Sequence, residues 1–492
     1  MPHPLLYEIN TRCWLRELSE KCERSLTLAN VPEAEVAGWQ KLGFTHIWLM
    51  GVWTSGPLAR EKALADANLQ RAYNEVLGTW RPEDVGASPY AIAEYRVSPG
   101  LGGELGLQNF RRQLHQQGLK LLLDFVPNHV GLDWPMDEPQ EMFVQSPSEA
   151  PETFPRKTRA GIRWLAHGKD PNFPAWTDTI QLDYRRLATR TRMTQVLQSI
   201  ARRCDGVRCD MAMLLLNDVF AKTWEKFPIA DSAPATEFWA EAISTIKQAD
   251  PDFLFLAEVY WGLEPRLQAL GFDYTYDKVL YDRLVCRDAP GVQRHLFEKS
   301  PGFIGASAHF LENHDEPRIA SILSTTEHRA AALLILGLPG MRFLHEGQLT
   351  GARRKIPVQL LRRPVEPADE QIERMYRELL LALPASAVGQ GMAEVLRPVA
   401  GLPENPTSRN FVIVQWRVEP GKIDLVVINL GPQPGRCSVR LNLGGCSSRQ
   451  WSIKDLLRPA RFEHSAHELE NSGLCLELPA HGAQLLHFEP VR

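Results

Sequence analysis

The 492-residue sequence lacks the features that mark several whole classes of protein. No apolar run reaches the ~20 residues needed to span a bilayer, so a membrane-embedded protein is not expected. The opening Met1-Pro-His-Pro-Leu-Leu-Tyr runs into Glu8 with no basic segment followed by a long apolar one, and the expectation is a cytoplasmic protein. Basic charge is not in excess: 55 Lys and Arg face 59 Asp and Glu, a net charge of −4. Such a chain has no global positive field to attract nucleic acid or anionic lipid. The eight cysteines, Cys13, Cys22, Cys204, Cys209, Cys286, Cys437, Cys446 and Cys475, show no Cys-x-x-Cys and no regular spacing. They imply neither a zinc site nor a disulfide framework, and read as free thiols that are mostly small core residues. A phosphate loop is absent too, because Gly100-Leu-Gly-Gly103 lacks both a preceding strand and a lysine. With 44% hydrophobic and 23% charged residues, the chain has the balance of a folded domain with a large core.

What the sequence does contain is an alternation. Short apolar, β-branched or aromatic runs at residues 5–10, 45–50, 120–126, 206–210, 253–258, 272–274, 306–311 and 341–344 are mostly separated by longer amphipathic segments. Helices are expected over 104–117, 190–203, 235–249, 327–336 and 369–383. Eight strands in βα repeats point to an α/β fold, a closed (β/α)8 TIM barrel over 1–130 and 182–387. Residues 131–181, rich in Pro, Glu, Ser and Trp, break the rhythm after the third strand and read as an inserted lid. From 388 to 492 alternating strands with Gly and Pro turns replace the helices, as in an all-β sandwich.

In a parallel barrel the functional groups sit at the C-terminal strand tips. Four expected strands end in acids: Leu-Leu-Leu-Asp124-Phe-Val-Pro-Asn128-His129, Gly-Val-Arg208-Cys-Asp210, Phe-Leu-Ala-Glu258 and Phe-Leu-Glu-Asn313-His314-Asp315. One carboxylate at a strand end is ordinarily a helix cap, but several converging on one mouth point to acid/base or metal chemistry. Arg208 and Asp210, two apart, share a strand face, and the cation should keep Asp210 ionised. Glu258 follows an apolar run whose desolvation should favour its protonated form. An ionised and a protonated carboxyl together form the pair of a retaining glycosidase.

These motifs, in this order, resemble those of the α-amylase superfamily, the retaining α-glucan hydrolases and transglycosylases, over nearly the whole chain. The resemblance implies that Asp210 is the nucleophile, Glu258 the acid/base and Asp315 the third carboxylate. It further implies that Arg208, His129 and His314 contact the sugar, that Asp124 braces the site, and that Tyr90 of Ser88-Pro-Tyr90-Ala-Ile-Ala-Glu-Tyr is a stacking platform. Trp134, Trp164, Trp176 and Trp261 could equally stack on sugars or pack a core or hinge. Arg353-Arg354-Lys355 and Arg362-Arg363 read as solvated or ion-paired surface.

Where many family amylases carry Ala-x-Lys-His after the nucleophile, this chain has Met211-Ala-Met213-Leu214. That departure removes a calcium-binding histidine, so no cofactor or metal is expected, Asn128 serving only if a calcium site is retained. The expected partner is an α-linked oligo- or polysaccharide. Hydrolysis leads the alternatives of transglycosylation, phosphorolysis and isomerisation, with a non-catalytic binding barrel behind them.

Overall fold

The computed structural model describes residues 2–135, 140–158, 161–227, 229, 234–400, 406–418, 421–443 and 450–491. Cys446 lies outside them, as do residues 136–139 and 159–160 of the expected lid. The other seven cysteines are free thiols, four of them buried.

Eight parallel strands pair in chain order and close on themselves. They are β1 (Leu5–Asn10), β2 (His46–Met50), β3 (Lys120–Phe125), β4 (Gly206–Cys209), β5 (Leu254–Ala257), β6 (Tyr274–Tyr276), β7 (Ser307–Phe310) and β8 (Met341–His345), with β8 hydrogen-bonded to β1. The chain is thus an α/β protein built on a closed (β/α)8 barrel. Both faces of each strand are covered, which is why the strands read as nearly continuous apolar runs. Leu6, Trp48, Leu122, Leu256, Tyr276, Phe310 and Phe343 form one buried cluster, while Leu5, Ile47, Leu121, Val207 and Phe255 belong to the cluster that includes the surrounding helices. Each such large side chain contributes roughly 1.5–3 kcal/mol on burial. Gly206 is required for closure, since a Cβ there would lie 2.7 Å from the Leu254 carbonyl oxygen.

A side-chain period of two then places the polar layer. Glu8 pairs in register with Trp48 and His345, and Arg208 with Asp124 and Leu256, all near the C-terminal rim. The sixth strand is displaced from the expected 272–274. Phe272 packs on Trp239 and Phe255 in the helix layer, and the strand starts two residues later, which brings Tyr276 into the barrel.

The insertion after β3 has a neck in which His129–Gly131 pairs antiparallel with Thr179–Gln181. Beyond it lies a three-stranded sheet of Gln145–Ser146, Gly161–Ala166 and Thr153–Thr158. Two features had no counterpart in the sequence reading. A helical hairpin, Pro57–Ala65 and Ala67–Leu77, follows β2. A largely irregular segment after β8 packs Ile356 and Leu360 against Tyr73 and Val76 of that hairpin. The C-terminal region contains a six-stranded and a three-stranded sheet around their own core, including Phe411, Leu425, Trp451 and Phe488. Short helical turns at Pro406–Asn410 and Glu468–Ser472 interrupt strands that the sequence alone rendered as helix-free. The helix Thr325–Gly337 is buried from Ala330 to Gly337 because it lies between the barrel and this sheet. There Trp416 donates its indole N–H to the Gly337 carbonyl at 2.8 Å, and a Cβ on Gly337 would meet Val426 at 2.6 Å. No helix among the described residues is long and apolar enough to cross a membrane.

Candidate active site

The centre of the barrel mouth is a buried guanidinium. Arg208 Nη1 lies 2.6 Å from Asp210 and Nη2 lies 2.7 Å from Glu258. Its charge is further enclosed by the rings of Trp48, Tyr90 and Tyr276, at 5.2, 5.4 and 5.8 Å from their centroids, each a cation–π contact that lowers the cost of burying it. Arg208 therefore serves both carboxylates, where the sequence had paired it with Asp210 alone. Burial pushes the Asp210 carboxyl up to about 7, Arg208 opposing and the Glu258 carboxylate adding to the rise. The expectation that Arg208 simply keeps Asp210 ionised is thus revised: burial outweighs the neighbouring cation, and Asp210 takes up a proton near neutral pH.

Glu258 is more heavily hydrogen-bonded than an apolar run before it implied. Its Oε1 accepts from the Tyr260 hydroxyl at 2.7 Å and its Oε2 from the Met211 backbone N–H at 2.8 Å. Met211 reaches that position in a left-handed conformation, φ 43°, a strained turn that ties the end of β4 to the end of β5. Trp261, just beyond, also has positive φ, 65°, and is exposed at the surface.

Across the mouth, His314 is clamped. Its Nε2 lies 2.7 Å from the Tyr90 hydroxyl and 2.9 Å from Asp315 Oδ2, and its Nδ1 lies 2.5 Å from Glu8 Oε1. Tyr90 stacks on the same ring at 5.4 Å, which fixes its plane beside the acids. Asp315 is half exposed, and the His314 ring beside it holds its carboxyl below the usual carboxylate range. Lys355, from the segment after β8, donates to the Asp315 carbonyl and anchors that loop. Arg363 of the same segment is not a surface group as its Arg-rich context implied; it is largely buried against Glu346 and Glu17.

Asp124 has both oxygens engaged by protein, Oδ1 with the Trp48 indole at 3.0 Å and Oδ2 with the Gly51 N–H at 2.8 Å. It braces β3 against the loop after β2, and burial raises its carboxyl to about 6 despite Arg208. His129 stands at the neck of the insertion with Trp176 packed on it at 5.0 Å, and burial lowers its imidazole to about 4, leaving it neutral. Trp134 is buried core. The sequence reading had missed Glu8, Tyr260 and Tyr276. Glu8 carried a usable signal, an acid two residues from inward-facing Leu6 and near a strand tip.

Asn128 is poorly suited to calcium. A hard cation takes six to eight oxygens, carboxylates among them. Here the Gln181 side-chain amide donates to Asn128 O at 2.8 Å, Asn128 Oδ1 at 3.0 Å and Leu182 O at 3.0 Å, filling the point where those oxygens converge. The nearby Asp183 carboxylate is held by Arg185 at 2.8 Å. Met213 and Leu214, buried and apolar, add no ligand.

A family model described as the α-amylase catalytic domain matches residues 38–278, the stretch that carries β2 through β6 and therefore Asp124, Arg208, Asp210 and Glu258. That stretch belongs to the α-amylase superfamily. Among relatives of this chain, the α-amylase MalA of Haloarcula japonica is 24% identical over 353 residues, covering 70% of this chain and 48% of that protein. A cyclomaltodextrinase of Geobacillus thermopakistaniensis is 21% identical over 420 residues, covering 81% and 65%. The chain thus spans about half to two thirds of the length of these curated relatives. The fold is shared with a noncanonic maltogenic α-amylase, AmyB, from Thermotoga neapolitana, at a TM-score of 0.67, 17% identity, and coverage of 99% of this chain and 98% of that one.

Proposed function

We propose that this chain is a retaining glycoside hydrolase acting on α-glucans or maltooligosaccharides. The observation that carries the reading is the single guanidinium of Arg208 ion-paired with both Asp210 and Glu258. Carboxyls ion-paired to neighbouring nitrogens of one group are brought close together, which favours the short spacing of a retaining pair over the wider, water-filled gap of an inverting one. Asp210 attacks the anomeric carbon while Glu258 passes its proton to the departing glycosidic oxygen, and the C–O bond to the leaving sugar breaks as the Asp210 ester forms. Glu258, now ionised, takes a proton from water, which attacks the same carbon and frees Asp210 with the anomeric configuration retained. Asp315, its ring partner His314 and Tyr90 line the opposite wall and provide hydroxyl contacts and a stacking face.

A cytoplasmic setting is part of the proposal. It is supported by similarity to the intracellular maltogenic amylase of Bacillus subtilis, 23% identical over 250 residues, 49% of this chain and 39% of that protein. No metal is assigned. The expected result of adding a chelator is a melting temperature unchanged within about 1 °C and not raised by calcium; a drop reversed by calcium would overturn that assignment.

The deciding experiment is chromatography of products from maltose, maltooligosaccharides, glycogen, sucrose and trehalose, with and without an added sugar acceptor. Shorter sugars with free reducing ends are expected from the maltooligosaccharides or glycogen. Longer or rearranged products would move the assignment to transfer or isomerisation, and an unchanged panel would count against a glucan-cleaving enzyme.

A further inference from the structure

We infer that Glu8, on the first strand of the barrel, is a positioning residue of the site, which orients His314 and holds it as a doubly protonated cation. The inference deepens the proposed function, since it rests on the Asp315 and His314 wall being the sugar-binding wall. Its basis is geometric. Each nitrogen of His314 faces a carboxylate oxygen, Nδ1 facing Glu8 at 2.5 Å and Nε2 facing Asp315 at 2.9 Å. A neutral imidazole has one N–H and one lone pair. A ring protonated only at Nε2 would point its lone pair at Glu8, and one protonated only at Nδ1 would hold its lone pair 2.9 Å from Asp315 with the Tyr90 hydroxyl as sole donor, whereas the imidazolium donates to Glu8 and sets a second N–H beside both Tyr90 and Asp315. The Tyr90 hydroxyl, 2.7 Å from Nε2, then shares the same N–H as an acceptor and is free to turn its own proton toward a ligand.

Glu8 is fully buried, and among the described residues its second oxygen has no hydrogen-bond partner; His345 Nε2 is 4.0 Å away. Among the described residues His314 is thus the one hydrogen-bond partner of this carboxylate, an expensive arrangement to keep inside a barrel unless the ring it holds is charged. The other titratable groups that interact with His314 are Asp124 on β3 and His345 on β8, and the Trp48 ring of β2 packs edge-on against it at 5.7 Å. Burial alone would strip the ring of its proton, but Asp315 and Glu8 raise it to about 10. His345 is driven the opposite way by burial and Arg318, and stays neutral. In the proposed reaction a charged His314 keeps Asp315 ionised and in place, ready to accept from sugar hydroxyls.

The test is the ring-nitrogen NMR spectrum of the whole chain labelled with 15N-histidine, with His314→Asn used to assign the signal. Both His314 nitrogens are expected at imidazolium positions at pH 8. In Glu8→Gln the amide removes the anion but keeps a hydrogen-bonding group, and the His314 titration should fall by roughly 1–3 pH units. In parallel, the ratio of Glu8→Gln to wild-type kcat/KM on a maltooligosaccharide should be near one at pH 5, where the ring is protonated without help, and should fall about tenfold per pH unit once the pH exceeds the lowered His314 titration of the variant. Glu8→Asp, which retains the charge, should lie between the two. A neutral His314 in the wild type at pH 8, or a Glu8→Gln loss that is the same at every pH, would overturn the inference. If the histidine behaves as expected and no glucan is cleaved, the charged clamp stands and the proposed function falls.

Discussion

Asp210→Asn should reduce turnover of maltooligosaccharides by at least about 10⁴-fold while leaving their binding within a few-fold of wild type. The side chain keeps its shape and can still accept from Arg208 Nη1, now 2.6 Å from Asp210 Oδ1. The neutral amide, however, cannot form the glycosyl ester on which the two-step mechanism depends. Folding should survive, because Arg208 retains Glu258 as an ion-pair partner and its three surrounding rings. Titration calorimetry beside a turnover assay separates the two quantities. Turnover near the wild-type rate would remove Asp210 from the nucleophile role; loss of binding as severe as the loss of turnover would make it a structural anchor instead.

The second large effect concerns the proton. Burial raises the Asp210 carboxyl to about 7, so the proposed nucleophile is ionised mainly above that pH. As pH falls through 7 the carboxylate takes up a proton, and kcat/KM should fall tenfold per unit. Glu258→Gln should cost about 10²–10⁴-fold on a maltooligosaccharide and leave this acid limb in place. On an aryl α-glucoside, whose leaving group departs without a proton, the first step should be nearly spared. Equal losses on both substrates would assign the acid role to another group.

Most of the barrel was legible because a parallel strand buried on both faces leaves an unbroken apolar run, and because acids are rare at the ends of such runs. Asp124, Asp210, Glu258 and Asp315 stood out for that reason. The same logic obscured Tyr276: Phe272 supplied an apolar start two residues too early, and the slip left the tyrosine beyond the expected strand although it reaches Arg208 at 3.3 Å. Glu8 was passed over because it lies within Leu-Leu-Tyr-Glu-Ile-Asn, where a single polar residue looks like a strand's solvent face. In a closed barrel the alternate face is the interior, and an acid there needs a buried partner, here more than 300 positions away in sequence. The hairpin of residues 57–77 was missed for a different reason. Its apolar face is covered by Ile356 and Leu360, so neither segment shows its reason for folding without the other.

The helix Thr325–Gly337 has consequences for how the molecule can be divided. A barrel helix normally turns one stripe inward and one to water, but here every residue from Ala330 to Gly337 is covered, the outer side by the strand that carries Val426. Neither body therefore owns this helix. A chain cut after residue 387 would bring a continuous Ala-Leu-Ile surface into solvent and orphan the Gly337 carbonyl that Trp416 now satisfies. Since the helix feeds β8, whose rim carries His345 beside Glu8, melting of the C-terminal sheets should be transmitted to the floor of the cleft, and a single unfolding transition is expected for the two bodies together.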